Sequence, residues 1–417
     1  MDDAEFAELA AWISDAGLRG VDETTLVTEF CTRLVARGLP LTRAQVFIDT
    51  LHPTYGGRAY AWHAAKAATT ASEYASVSDG AMMTRWQQSP FYRLLETGEA
   101  MLRRRLDEQT IAEFPIFSDL FQAGMTEFVA VVDRFGADAI IGEMDCVYSS
   151  WSTDAPEGFT DWQVAALRRL TPSLALAIKS DTLGRIAKTL VETYLGRDPG
   201  ARVLKGSITR GISAAMDAVL WFSDLHDYTR ICDNARPEDI IPFLNDYAET
   251  VIAAIHENDG DVLKLIGDGT LAIFTGPDRQ SACRAALAAA QKAFERAGTL
   301  KAKRLADSLP ATDLYLALHY GEVVYGNFGS RERLDFTVIG PAVNEVSRIA
   351  AMCRMVDQPI LLSSAFNDSL GVEQNPLVSV GRFALRGVEQ PQHLFTLERS
   401  FIATGERMPQ DDDGSGL

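Results

Sequence analysis

The chain has 417 residues, 47% of them hydrophobic and 23% charged, with a formal net charge of −18. That length favours two or three domains, and the composition is that of an ordinary soluble globular protein. The negative balance repels nucleic acid and anionic membrane, so neither is an expected partner. A nucleotide remains compatible with it where metal ions bring the positive charge. The five cysteines are scattered, with no C-x-x-C pair. They suit a reducing cytosol and argue against a zinc site or a disulfide framework. Met1-Asp-Asp-Ala-Glu lacks the basic start of a signal peptide. No apolar run approaches the roughly 20 residues that span a bilayer, so a cytoplasmic location is expected.

The first 40 residues read as helices: Phe6, Leu9, Ala10 and Ile13 repeat at helical spacing, as do Leu26, Phe30 and Leu34. Strands are predicted at 44–50 and 59–62 with a turn at Gly56-Gly57, then at 98–103, 127–133 and 144–151. Trp62, Phe91, Tyr92, Phe114 and Phe117 read as core or as the lining of a small-molecule pocket. His52 and His63 have no visible partner, and no metal or haem is expected there. A long helix starts near Thr160, with Pro172 as a bend. Leu176, Leu183 and Leu190 then fall seven apart, beside Ile186 and Tyr194. That spacing predicts a parallel dimer helix, with an amphipathic helix packed on its own domain as the alternative. Gly196 to Gly200 ends it, and 201–215 reads as a connector. This element order resembles a GAF-like α/β sensor domain, with a PAS-like domain the nearest alternative. The resemblance implies a small-molecule ligand.

The second half is organised around two acids. A strand at 217–223 ends on Asp224, and a ribbon at 261–274 has Asp268 between two glycines at its bend. A helix over 236–257 separates them. A second helix over 278–305 precedes strands at 313–319 and 322–328, predicted to pair across Tyr320-Gly321. Pro341 starts a helix to Cys353, and short strands at 359–362 and 394–397 close the domain. The order strand–helix–hairpin–helix–strand predicts a ferredoxin-like α+β domain. The domains are set at 1–175 (sensor), 176–205 (linker and dimerisation helix), 206–400 (catalytic) and 401–417 (disordered tail).

Two carboxylates sharing a site repel, and divalent cations remove that conflict. Lys264, in the same apolar ribbon, needs a polar ligand or an interface partner. Asn344 and Arg348 lie four apart after a proline helix start, so they share a helix face that suits a sugar oxygen and a phosphate.

Four stretches in order, Phe222–Thr229, Leu263–Gly269, Leu318–Gly329 and Thr337–Arg348, resemble the class III nucleotidyl cyclases over about half the chain. The resemblance implies an adenylate cyclase that makes 3′,5′-cyclic AMP and pyrophosphate from ATP with two Mg²⁺ or Mn²⁺ ions. Asp224, Asp268 and the carbonyl of Leu225 would hold the metals. Lys264 and Thr337 would read the purine, Asn344 would orient the ribose, and Arg348 would stabilise the developing charge. Arg386 is a further phosphate candidate. Thr337 matches a bacterial-type subgroup, and a Lys–Thr pair suits adenine: the ammonium donates to N1 and the hydroxyl accepts from the 6-amino group. The resemblance also implies a homodimer with two shared active sites, regulated by the first domain. A guanylate cyclase and a nucleotide-binding regulator without turnover are the alternatives. One departure stands out. Asp227 occupies a position where the family usually has glycine, in the loop that wraps the triphosphate. An acid there is expected to weaken ATP affinity unless it points to solvent.

Overall fold

The computed structural model describes residues 3–75, 80–211, 213–371, 377–388 and 390–397. The tail expected at 401–417 lies outside them. The chain divides into two compact units, Met1–Leu190 and Val191–Leu417.

The first unit begins with helices α1 (Asp3–Leu18) and α2 (Glu23–Ala36) and strands β1 (Arg43–Asp49), β2 (Gly57–His63) and β3 (Ala68–Tyr74). Helices α3 (Gly80–Gln87) and α4 (Pro90–Thr97), β4 (Met101–Arg105), α5 (Pro115–Gln122), β5 (Glu127–Arg134), β6 (Cys146–Thr153) and α6 (Asp161–Leu195) follow. The six strands form one antiparallel sheet in the order β3-β2-β1-β6-β5-β4. Successive strand side chains point to opposite faces, and β5 shows the consequence. Val129 and Val131 join Leu26 and Phe30 of α2 and Leu167 and Leu170 of α6 in one core. Phe128, Ala130 and Val132 join Phe91 and Leu94 of α4 and Phe117 and Leu120 of α5 in another. Trp62 lies in the first of these cores and Phe91, Phe114 and Phe117 in the second, while Tyr92 and Phe114 line one cavity of about 410 Å³ together with Arg93, Glu96 and Glu113.

The proposed leucine seam is split. Ile186 is buried, with Leu183 and Leu190 packed beside it against the first core, whereas Leu176 and Tyr194 are exposed.

The second unit continues with α7 (Arg197–Leu204), β7 (Ser213–Leu225), α8 (Tyr228–Asn234), α9 (Pro237–His256), β8 (Gly260–Ile266), β9 (Gly269–Phe274) and α10 (Arg279–Ala306). Then come β10 (Leu314–Gly329), β11 (Leu334–Ile339), α11 (Pro341–Met355), β12 (Ile360–Ser363), α12 (Ser364–Leu370), β13 (Leu377–Phe383) and β14 (Gln392–Leu397). The sheet order is β13-β14-β12-β10-β7-β9-β8, with β11 on β10. Its middle, β10-β7-β9-β8, is the split βαβ arrangement anticipated from element order. Val219 and Trp221 of β7 face α9 and α10, while Ala218 and Leu220 face α11. The central strand is therefore covered on both faces and its end is fixed.

Two expectations fail. Residues 313–319 and 322–328 do not pair with each other; they fall in the single strand β10, which pairs with β7 from Leu314 to Gly326. Gly321 serves close approach rather than a turn: a Cβ there would sit 2.8 Å from the Ala342 Cβ of α11. The connector at 201–215 is partly regular, because α7 runs into it as far as Leu204 and β7 begins within it at Ser213. Gly196, at φ 93°, separates α6 from α7, and the Arg202–Asp198 pair at 2.7 Å spans one turn of α7.

Candidate active site

The two acids meet because two strand ends are adjacent. β7 pairs with β9 up to Ser223 opposite Thr270. That places Asp224, the next residue, beside the β8–β9 turn at Gly267-Asp268. Gly267 adopts φ 63°, a conformation that glycine takes without strain. The turn aims Asp268 back at β7, and its Oδ2 accepts from the Leu225 N–H at 3.0 Å. Asp224 Oδ1 is buried and has no hydrogen-bond partner. Burial first, and the neighbouring Asp268 second, push the Asp224 carboxyl up to about 6, against the opposing pull of Arg354 and His226. Asp224, Leu225 and Asp268 line a cavity of about 190 Å³, closed from the other side by Leu244, Asn245 and Ala248 of α9.

This donor set fits a hard divalent cation. An unpartnered buried carboxylate oxygen beside a second carboxylate is a costly arrangement that Mg²⁺ or Mn²⁺ relieves. Among the described residues no cluster of three or more His, Cys, Asp or Glu side chains gathers. A cation held there would complete its shell with backbone carbonyl, water and substrate phosphate, as is usual for Mg²⁺.

Lys264 lies in another group. Its ammonium is ion-paired with Asp335 of β11. Asp335 is two residues before Thr337 and shares its strand face, while Phe336 and Val338 point into the core under α11. Thr337 itself is buried, opposite Gly326 of β10. Sequence reasoning missed Asp335; its signal was an acid in the same alternating run as Thr337.

Asn344 and Arg348 stand one turn apart on the exposed face of α11, whose other side buries Val346, Ile349 and Cys353. Arg386 is exposed in the turn after β13. None of Lys264, Thr337, Asn344, Arg348 or Arg386 lines the acid cavity. The eight expected residues thus fall into an acid pair with Leu225, a Lys–Thr group joined through Asp335, an Asn–Arg face, and Arg386.

Asp227 has φ 54°, a left-handed conformation that accounts for glycine elsewhere and that aspartate tolerates better than most residues. Its carboxylate is paired with Arg230 at 3.2 Å, with His226 at 3.7 Å. Behind α11, His319 of β10 shares a 2.9 Å hydrogen bond with Ser363, and burial holds its imidazole down at about 4.

Residues 213–399 match the family described as the adenylate and guanylate cyclase catalytic domain. The second unit therefore carries a class III cyclase catalytic domain. A protein of Mycobacterium tuberculosis named only "Uncharacterized protein" is 29% identical over 208 residues, covering 50% of this chain and 37% of that protein. "Adenylate cyclase" of Anabaena cylindrica is 31% identical over 160 residues, covering 38% of this chain and 32% of its own length. The chain thus spans about a third of the length of these curated relatives. Among solved structures, the guanylyl cyclase Cya2 is 23% identical, with a TM-score of 0.40, covering 44% of this chain and 93% of that one. No helix among the described residues is long and apolar enough to cross a membrane.

Proposed function

We propose that the chain is an adenylate cyclase that converts ATP to 3′,5′-cyclic AMP, pyrophosphate and a proton, at two sites shared between the copies of a homodimer. The observation that carries this reading is the acid pair: Asp224 and Asp268 at adjoining strand ends, with a buried unpartnered Oδ1 on Asp224.

Asp224, Asp268 and the Leu225 carbonyl would hold the ions. Bound there, divalent cations make the ribose 3′-hydroxyl more acidic and neutralise the triphosphate. The chain's own residues do the rest. Lys264 donates to adenine N1 and the Thr337 hydroxyl accepts from the 6-amino group. Guanine offers the opposite pattern at both atoms. Asn344 holds the ribose so that its 3′-oxygen lies in line with the α-phosphorus. That oxygen bonds to phosphorus as the bond to pyrophosphate breaks, and Arg348 stabilises the charge that develops.

The exposed apolar residues support a second copy. Ile241 and Leu265 at the rim of the acid cavity are 61% and 56% exposed, and Phe328, opposite Asp335, is 62% exposed. Large exposed side chains beside both halves of a site mark a surface to be covered. Acids from one protomer would then face Lys264, Thr337, Asn344 and Arg348 of the other.

The first unit is read as a GAF-like sensor for a small molecule. Its antiparallel sheet with helices on both faces supports that reading. A sensor needs only to shift how two halves meet, because a displacement of about 1 Å costs on the order of 100-fold in rate.

The test is direct. The full chain incubated with Mn²⁺ and ATP should release cyclic AMP and pyrophosphate, and with GTP much less cyclic GMP. No cyclic nucleotide from either substrate would reject the reading, and a preference for GTP would reject its adenine part. A chain beginning at Val191 should differ in rate from the full chain if the first unit regulates.

A further inference from the structure

We propose that Thr312 is a positioning residue for the acid pair: its hydroxyl holds the backbone at His226 and so keeps the Leu225 carbonyl turned towards Asp224 and Asp268, ready for a divalent cation. The inference rests on the cyclase reading above and brings a residue of the α10–β10 loop into it.

A short relay of hydrogen bonds makes the link. The His226 N–H donates to the Asp313 carbonyl at 2.9 Å, and the Thr312 hydroxyl donates to the His226 carbonyl. The Thr312 N–H donates to the Tyr247 hydroxyl at 2.8 Å, and that hydroxyl donates in turn to the Thr312 carbonyl at 2.7 Å. Tyr247 and Thr312 are both buried. Tyr247 stands on α9, in the wall of the acid cavity. The loop is held from α10 as well. Buried Arg304 donates to the Pro310 carbonyl at 2.6 Å and is ion-paired with Asp246 of α9.

Strand geometry gives this relay a direction. The N–H and C=O of one strand residue point to the same side. The Leu225 N–H donates to Asp268, so the Leu225 carbonyl faces that side too. The same carbonyl shares a planar trans peptide unit with the His226 N–H, which points the opposite way, to Asp313. Rotation of that unit would swing the carbonyl off the acids. β7 ends at Leu225, and Asp227 turns the chain at φ 54°. Past the strand end, His226 is therefore held by the α10–β10 loop: Asp313 takes its N–H and Thr312 its carbonyl. Groups that orient a metal ligand set metal affinity without touching the ion. Thr312 meets no substrate or reacting atom, so its effect falls on metal affinity rather than on turnover.

The test uses the full chain. The rise in thermal midpoint is titrated with Mn²⁺ in the absence of nucleotide, and the Mn²⁺ dependence of cyclic AMP production from ATP is measured beside it. Thr312→Val keeps the shape of the side chain and removes the hydroxyl, whereas Thr312→Ser keeps the hydroxyl. Thr312→Val should weaken the apparent Mn²⁺ affinity about tenfold in both titrations, the lower end of the loss expected when a group that orients a metal ligand is removed. Its kcat at saturating Mn²⁺ should change little. Thr312→Ser should recover most of the affinity. If Thr312→Val does not fold, Tyr247→Phe, which frees the Thr312 backbone, is held to the same expectation; failure of both to fold would mean a structural role and overturn the proposal. A Thr312→Val chain with wild-type Mn²⁺ titrations overturns it, as does a Thr312→Ser chain no better than Thr312→Val. So does a lower thermal midpoint or kcat with the Mn²⁺ dependence intact. A wild type that shows the Mn²⁺ shift but makes no cyclic nucleotide overturns the cyclase reading, while the thermal titration still decides the role of Thr312. A wild type with no Mn²⁺ shift overturns the metal site on which both rest.

Discussion

The backbone N–H of Leu225 donates to Oδ2 of Asp268 at 3.0 Å, tying the end of β7 to the β8–β9 turn. That bond occupies one carboxylate oxygen and leaves Asp224 Oδ1 beside it, buried and without a partner. On the proposed reading, a cation takes the place of a second hydrogen bond there.

A metal prediction follows from this pairing. At pH 8, Mn²⁺ should raise the thermal midpoint of the wild type. Asp224→Asn removes the like-charge conflict, so without metal it should melt higher than wild type by about 3 °C, the shift that about 1 kcal/mol gives in a domain of this size. It should also lose most of the Mn²⁺ effect. Equal metal shifts in both proteins would contradict the assignment of Asp224 as a ligand.

Asp227, in the loop proposed to wrap the triphosphate, gives a second prediction. Asp227 is paired with Arg230, so its charge is masked in the folded chain. Arg230→Ala should unmask it and raise the ATP KM by about threefold, the scale of an exposed ion pair. In an Asp227→Gly background, the same arginine change should do nothing, because the acid is gone and glycine keeps the left-handed turn. Equal effects in both backgrounds would show that Arg230 acts independently of Asp227.

Much of this was legible in the sequence, for physical reasons. The Asp268 turn announced itself by apolar arms and flanking glycines, and the α11 face by the four-residue spacing of Asn344 and Arg348. The ferredoxin-like middle of the second unit, β10-β7-β9-β8, followed from element order. What misled was glycine used for packing. Gly321 looked like a turn, yet it lies within β10 because α11 crosses there too closely for a side chain. The partners of single charges were illegible for another reason. Lys264 and Asp335 lie 71 residues apart and meet only through the fold. The seam of Leu183 and Leu190 shows the same limit: heptad spacing does not say which surface the helix covers, and here those side chains pack on the first unit's own core.

His319 supplies the pH prediction. Burial lowers its imidazole from 6.5 to about 4, so the folded chain keeps it neutral while the unfolded chain protonates near 6.5. The stability contributed by neutral His319 is full above that value and is lost as pH falls from about 6.5 towards about 4. Between pH 7.5 and 5 this amounts to about 2 kcal/mol. Replacing His319 with Asn, which retains a partner for Ser363, should remove that slope in urea unfolding of the second unit. An unchanged slope would place the acid sensitivity elsewhere.

The central claim is that one working site is assembled from two copies of the chain. The most direct measurement mixes Asp224→Ala and Arg348→Ala proteins, each inactive alone, after dissociation and re-association. Statistical pairing in a twofold dimer leaves about one intact site in four, so cyclic AMP production should recover to about a quarter of wild type. No recovery, although mixed dimers are shown to form, would contradict shared sites.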